Sequence, residues 1–182
     1  IPVTGMIEPA SEAALRQTNN GNIGIIGTRA TIGSKAYELS INQKKDTKKI
    51  KTFSQACPLF VPIVEEGMIR HPAGRMIAEE YLNPLIENNT DTLVLGCTHY
   101  PLMADLFREI MPGINLIDSG EHSAVTTLRT LAEFQLLREN TNNFSKKATI
   151  DFYVTDLPVL FNELARKFLG FDIKQPKRIL LD

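Results

Sequence analysis

Two cysteines are too few to staple a chain of 182 residues, so a disulfide framework is excluded as the source of its stability. Charge of one sign is also lacking. Twenty Lys and Arg offset twenty-one Asp and Glu, leaving a net charge of -1, and no global field favours nucleic acid or an anionic membrane surface as a partner. No apolar run approaches the roughly 20 residues of a membrane span. The opening IPVTGMIEPASEAAL has none of the basic, apolar and cleavage regions of a secretory signal, so a soluble, cytoplasmic protein is the default expectation. The first residue is Ile, not Met, as in a piece cut from a longer protein. No period of roughly 20–50 residues repeats, and there is no low-complexity tract.

What is present is an ordinary globular composition. Hydrophobic residues make up 43% and charged residues 23%, close to the soluble average. The length suits one domain or two small ones. Helical and β-rich patterns alternate along the chain. Helices are expected over about 10–18, 30–39, 61–68, 74–87, 101–111, 120–138 and 157–168. Strands are expected over 22–28, 50–55, 92–95, 114–117 and 150–154, with a last one at 179–181. The run KKDTKK over 44–49 reads as a charged loop and 139–147 as a polar connection. Strand–helix alternation predicts an α/β fold with a parallel sheet and helices on both faces. Such sheets bind ligands beyond the carboxyl ends of their strands. Attention therefore falls on Gly27-Thr28 and Gly96-Cys97.

In GCTHYP, from Gly96 to Pro101, a thiol stands between an apolar strand and a helix start. That setting and His99 two residues on could raise the thiolate fraction of Cys97, while Thr98 adds a hydroxyl. A buried structural cysteine fits the position equally, because free Cys is among the most buried residues. GIIGTRATIGSK looks like a phosphate loop but fails the template GxxxxGK(S/T), since five residues separate Gly27 from Gly33 and Ser34 precedes Lys35. Thr28 and Thr31 would share one face of a first helical turn, either to hold a carboxylate or as a helix cap. CPLFVPIVEEG, from Cys57, ends in adjacent carboxylates at Glu65 and Glu66, one of which could face a cleft. His71 and His122 are isolated. The cysteines and histidines lack C-x-x-C or H-x-x-x-H spacing, so no metal site is expected.

Taken together, IPVTGMIEP, GIIGTRATIGSKAY, ACPLFVPIVEEG, LVLGCTHYPLM, LIDSG and DFYVTDLPVLFNELARKFLG resemble the glutamate racemase family, in that order and over nearly the whole chain. The resemblance implies an aspartate/glutamate racemase type of three-layer αβα domain and a cofactor-independent isomerase that interconverts L- and D-glutamate for peptidoglycan synthesis. It implies two cysteines acting across the substrate, because inversion needs an acid and a base on opposite sides of one carbon. By motif, Cys97 matches the second cysteine, acting on L-glutamate. Thr98 and His99 match the substrate-contacting and cysteine-assisting residues. Glu65 is the better match to the auxiliary glutamate, with Glu66 next. Thr28 and Thr31 match hydroxyls that hold the glutamate carboxylates. Glutamate is the implied small-molecule partner, and a homodimer is the assembly that family members often form.

One departure matters. The family's DSGxGG loop and the ACNTA block with the first cysteine are absent, and Cys57 belongs to a different block. The chain is therefore expected to comprise a second racemase domain, 1–118, and a C-terminal segment, 119–182, that would return to an absent first domain. Leu128, Leu131, Phe134, Leu157, Leu160, Phe161 and Leu164 are then expected to lack part of their partner surface. On this reading the isolated chain would be incomplete and inactive. An aspartate or other racemase of the superfamily, or a non-catalytic carboxylate-binding domain, are the alternatives.

Overall fold

The structure is a computed structural model that describes residues 2–44, 49–137, 150–156 and 161–181. The chain divides into two compact units, Ile1–Leu137 and Arg138–Asp182. The first is built on a four-stranded parallel sheet of order β2-β1-β3-β4, with β1 at Asn22–Gly27, β2 at Lys51–Ala56, β3 at Thr92–Gly96 and β4 at Asn115–Asp118. β1 (NIGIIG) and β3 (TLVLG) are central and almost wholly buried. That explains why both read as unbroken apolar runs instead of alternating ones.

Period-two geometry sends neighbouring side chains of these strands into two different cores. Ile26, Leu93 and Leu95 pack beneath α4 (Phe60–Glu65), α5 (Pro72–Glu87) and α6 (Ala104–Ile110), with Phe60, Leu82 and Phe107 fully buried. Ile23, Ile25, Val94 and Ile117 face the other way, onto α1 (Ile7–Gln17) and α3 (Ala36–Lys44), through Ala10, Ala14, Tyr37 and Ile41. The result is a three-layer αβα arrangement. The chain leaves β1 towards one face, through α2 (Arg29–Ser34) and α3, and leaves β3 towards the other, through a 3-10 turn at Tyr100–Met103 and α6. This divergence makes the β1/β3 junction the topological switch point, the place where such sheets open a crevice.

Several boundaries differ from the sequence reading. α1 begins at Ile7, because Glu8 and Pro9 fit its first turn. The helix expected over 30–39 is two helices, broken where Lys35 takes the left-handed conformation with φ 55°. The helix expected over 61–68 ends at Glu65, and Gly67 follows with φ 70°. The helix expected from Pro101 starts as the 3-10 turn. Asp118 caps α7 (Ser119–Glu133) by accepting from the amides of Gly120 and Glu121, but that helix stops before Gln135, whose φ is 56°. α7 lies in the first unit, past the boundary expected at 118. Its Ser123 hydroxyl donates to the Gly5 carbonyl, and Thr127 meets Thr4 at 3.0 Å. Most of the charged run 44–49, the connection 139–147 and residues 157–160 lie outside the described residues.

In the second unit, β5 (Tyr153–Val154) pairs in parallel with β6 (Lys177–Arg178), and α8 (Phe161–Leu169) lies between them in sequence. The last strand is thus Lys177–Arg178, not 179–181. The ladder closes through the amide of Lys177 on Phe152 and that of Ile179 on Val154. Among the residues expected to be under-covered, Leu128 and Phe134 are exposed at 58% and 60%. Leu131, Phe161 and Leu164 are half-buried, and Leu157 and Leu160 are outside the described residues.

At the opposite, amino-terminal edge, Asp91 ties the α1–β1 turn to the start of β3. Its carboxylate accepts from the Thr18 hydroxyl at 2.7 Å, the amides of Asn19 and Asn20 at 2.7 and 2.8 Å, and the Thr92 hydroxyl at 3.0 Å. Burial pushes this carboxyl up, but the bonds from Asn20, Thr18, Asn19 and Thr92 together hold it below the ordinary value. A depressed folded value stabilises the fold above the unfolded carboxylate value of about 4 and loses that contribution as pH falls through it. Asp91→Ala is expected to cost about 2 kcal/mol in urea unfolding at pH 7, with a smaller cost below about pH 4. An equal cost at both pH values would contradict this role.

Candidate active site

All four strands of the sheet deliver their next residue to one edge: Thr28 after β1, Cys57 after β2, Cys97 after β3 and Ser119 after β4. At the switch point Gly27 stands opposite Gly96. Both glycines are required by close approach. A Cβ on Gly96 would meet the Ile26 carbonyl at 2.8 Å, Tyr37 at 3.1 Å and Thr31 at 3.2 Å, and one on Gly27 would meet Thr31 at 2.9 Å. The Thr31 side chain therefore lies over the ends of both central strands.

Thr28 caps α2, its hydroxyl accepting from the Thr31 amide at 3.2 Å, and the two hydroxyls are 3.0 Å apart. The expected Thr28 cap is thus present, and both hydroxyls lie in the same turn. Cys97 is half-buried beside them, Thr98 is exposed, and the Thr98 hydroxyl is 3.4 Å from His99 Nδ1. His99 Nε2 reaches Glu65 Oε1 at 3.1 Å. Their side chains are 21% and 39% exposed, so the pair borders solvent. Glu66 follows α4 as its C-cap residue and is exposed. Of the two adjacent carboxylates, Glu65 is the one that meets the Cys97 loop.

Cys57 is different in kind. Its thiol is fully buried, 3.5 Å from the Gln55 carbonyl, and burial pushes it well above the ordinary thiol range. Its backbone is busier than its side chain. The Cys57 amide donates to Gly27 at 2.8 Å, and its carbonyl accepts the Tyr100 hydroxyl at 2.8 Å. On the other face of the sheet Ser119 donates its only hydroxyl proton to the Leu95 carbonyl at 3.0 Å. The Tyr37 hydroxyl, 2.9 Å from Ser119 Oγ, must then be the donor in that bond. Burial pushes both tyrosine hydroxyls above the ordinary phenol value. Neither tyrosine stood out in the sequence as a site residue. The available signal was a polar-tipped ring in each of the blocks GSKAY and CTHYP. His71 proves to be a helix cap, its Nδ1 accepting from the Ala73 amide at 3.1 Å. Among the described residues no cluster of three or more His, Cys, Asp or Glu could hold a metal, and no helix is long and apolar enough to cross a membrane.

A half-buried thiol, paired hydroxyls and a His–Glu pair thus gather at the carboxyl edge of the sheet, near the β1/β3 switch point. Residues 1–127 match the model of the family Asp/Glu/Hydantoin racemase, and the chain belongs to that family. Glutamate racemases are among its similar proteins. That of Chlorobaculum tepidum is 46% identical over 174 residues, 95% of this chain and 62% of its own length. That of Syntrophus aciditrophicus is 40% identical over 182 residues, all of this chain and 65% of its own. A crystal structure of glutamate racemase from Francisella tularensis in complex with D-glutamate superposes with a TM-score of 0.87 at 32% identity, covering 100% of this chain and 65% of that one. The chain thus spans somewhat under two thirds of the length of these relatives.

The two cysteines are expected to separate cleanly in reactivity. In the native chain iodoacetamide should modify Cys97 and leave Cys57 untouched until denaturant is added, as read by peptide mass spectrometry. Equal native labelling of both would contradict the burial of Cys57.

Proposed function

We propose that this chain carries one half of a glutamate racemase active site, with Cys97 as its acid/base group. The observation that supports this best is the position of Cys97 directly after β3 at the β1/β3 switch point, at the same sheet edge as the Thr28–Thr31 hydroxyls and two residues before His99 of the His99–Glu65 pair. The Cys97 thiolate takes the α-proton of L-glutamate. In the reverse direction the thiol returns it. Thr98 and whichever of Thr28 and Thr31 does not spend its proton on the other donate hydrogen bonds to the substrate carboxylates, which fixes the α-carbon before the thiol and spreads the charge that develops on proton loss. His99, held by Glu65, assists the thiol. The chemistry needs no cofactor, because both proton transfers are carried by thiols.

A second thiol on the opposite face of the α-carbon completes inversion. Cys57 does not suit that role, because it is buried and its block is not the one that carries the family's first cysteine. We assign the first cysteine to a first domain preceding this segment, on which part of 119–182, including the exposed Leu128 and Phe134, would dock. The complete enzyme would be a cytoplasmic isomerase that supplies D-glutamate for peptidoglycan, with a homodimer as the expected assembly. The lone accessible cysteine favours one further reading for the isolated chain: glutamate binding without turnover.

The test is α-proton exchange of L- and D-glutamate in D₂O, followed by NMR, with Cys97→Ser as control. Exchange confined to one enantiomer and lost in Cys97→Ser supports a single working base. Binding of glutamate with no exchange supports the carboxylate-site reading for the isolated chain. Racemisation by the chain as it stands, independent of Cys97, would overturn the assignment.

A further inference from the structure

The His99–Glu65 pair joins the turn after β3 to the end of α4. His99 follows β3, whereas Glu65 is the last residue of α4, after β2. Both side chains border solvent, and the contact between such exposed groups does little to hold itself in place. A buried contact underneath adds to their register.

Tyr100 lies there, fully buried and adjacent to His99 in the chain. Its ring meets Phe60, the first residue of α4, edge-on, with centroids 5.2 Å apart and planes at 85°. Its hydroxyl donates to the Cys57 carbonyl at 2.8 Å. The same carbonyl accepts the amide of Phe60 at 3.2 Å and so starts the turn that becomes α4. From Phe60 to Glu65 the helix rises by about 7.5 Å, a short rigid arm with Glu65 at its tip. One side chain therefore grips both the first residue of the arm and the turn that launches it, while its own backbone carries His99.

We propose that Tyr100 is a positioning residue whose hydroxyl, acting through the Cys57 carbonyl, sets the His99–Glu65 contact. It touches no substrate. The proposal rests on the site reading above, but its test needs no turnover, so failure of the clamp and failure of the racemase reading are distinguishable.

The experiment records the His99 ring nitrogens by NMR in the 182-residue chain, with the resonances assigned through a His99→Gln variant. Four proteins are compared: the unaltered chain, Tyr100→Phe, Glu65→Gln and the double variant. If the hydroxyl sets the pair, Tyr100→Phe moves the His99 Nε2 resonance at least half of the way to its position in Glu65→Gln. The double variant then adds nothing beyond Glu65→Gln alone, because the two changes break the same contact. A Tyr100→Phe protein with a native amide spectrum and an unmoved His99 ring would overturn the proposal. Should Tyr100→Phe not fold, p-aminophenylalanine at position 100 keeps both ring and donor. A folded protein with the original His99 resonance supports the clamp, and a folded protein with the Glu65→Gln resonance contradicts it.

Discussion

The close approach of β1 and β3 at Gly27 and Gly96 is the constraint on which the carboxyl edge of the sheet depends. Any side chain at Gly96 would run into the backbone of Ile26, and one at Gly27 into Thr31. With both positions bare, Thr31 can lie across the strand ends and meet Thr28. The strands then release their following residues, Thr28 and Cys97, at the same edge of the sheet. Thr28 and Cys97 thus come together through backbone register.

Hydrogen bonds to main-chain carbonyls then fix the loops above that register. Cys57 bonds to Gly27 through its amide and to Tyr100 through its carbonyl, and Ser119 bonds to Leu95 with Tyr37 behind it. Each such bond contributes only about 1 kcal/mol net, but loss of one partner leaves a buried polar group unsatisfied, at a cost of about 1–3 kcal/mol. The Phe60–Tyr100 contact adds about 0.5–1.5 kcal/mol beyond its burial. Against these, the half-exposed His99–Glu65 pair contributes at most about 1 kcal/mol to stability. The energetic weight lies in the buried braces. The same division separates the two cysteines. Cys57 serves through its backbone and hides its sulfur, whereas Cys97 is only half-buried.

The sheet was legible because β1 and β3 are short, apolar and bounded by glycine, and because buried parallel strands carry no alternation to confuse the reading. Helix ends were less legible. Lys35 and Gln135 adopt positive φ values that their residue types do not announce, so a single helix was expected where α2 and α3 occur, and α7 was drawn too long. The two-residue strands β5 and β6 are defined by their ladder to each other, which no local pattern encodes. At the site, Cys97, Thr28 and Thr31 could be found from their place after strand ends. The meeting of His99 with Glu65, and not Glu66, depends on where α4 stops. The braces at Tyr37 and Tyr100 act on carbonyl groups, and a carbonyl leaves no mark in a sequence.

A ligand titration probes the half-site most directly. Titrating D-glutamate into the isotopically labelled chain and following backbone amides should shift Thr28 to Thr31 and Cys97 to His99 together. The amino-terminal edge around Asn89 to Asp91 should stay unmoved. Shifts confined to that opposite edge, or none at Thr28, Thr31 and Cys97 while the chain remains folded, would contradict a glutamate site at the β1/β3 crevice.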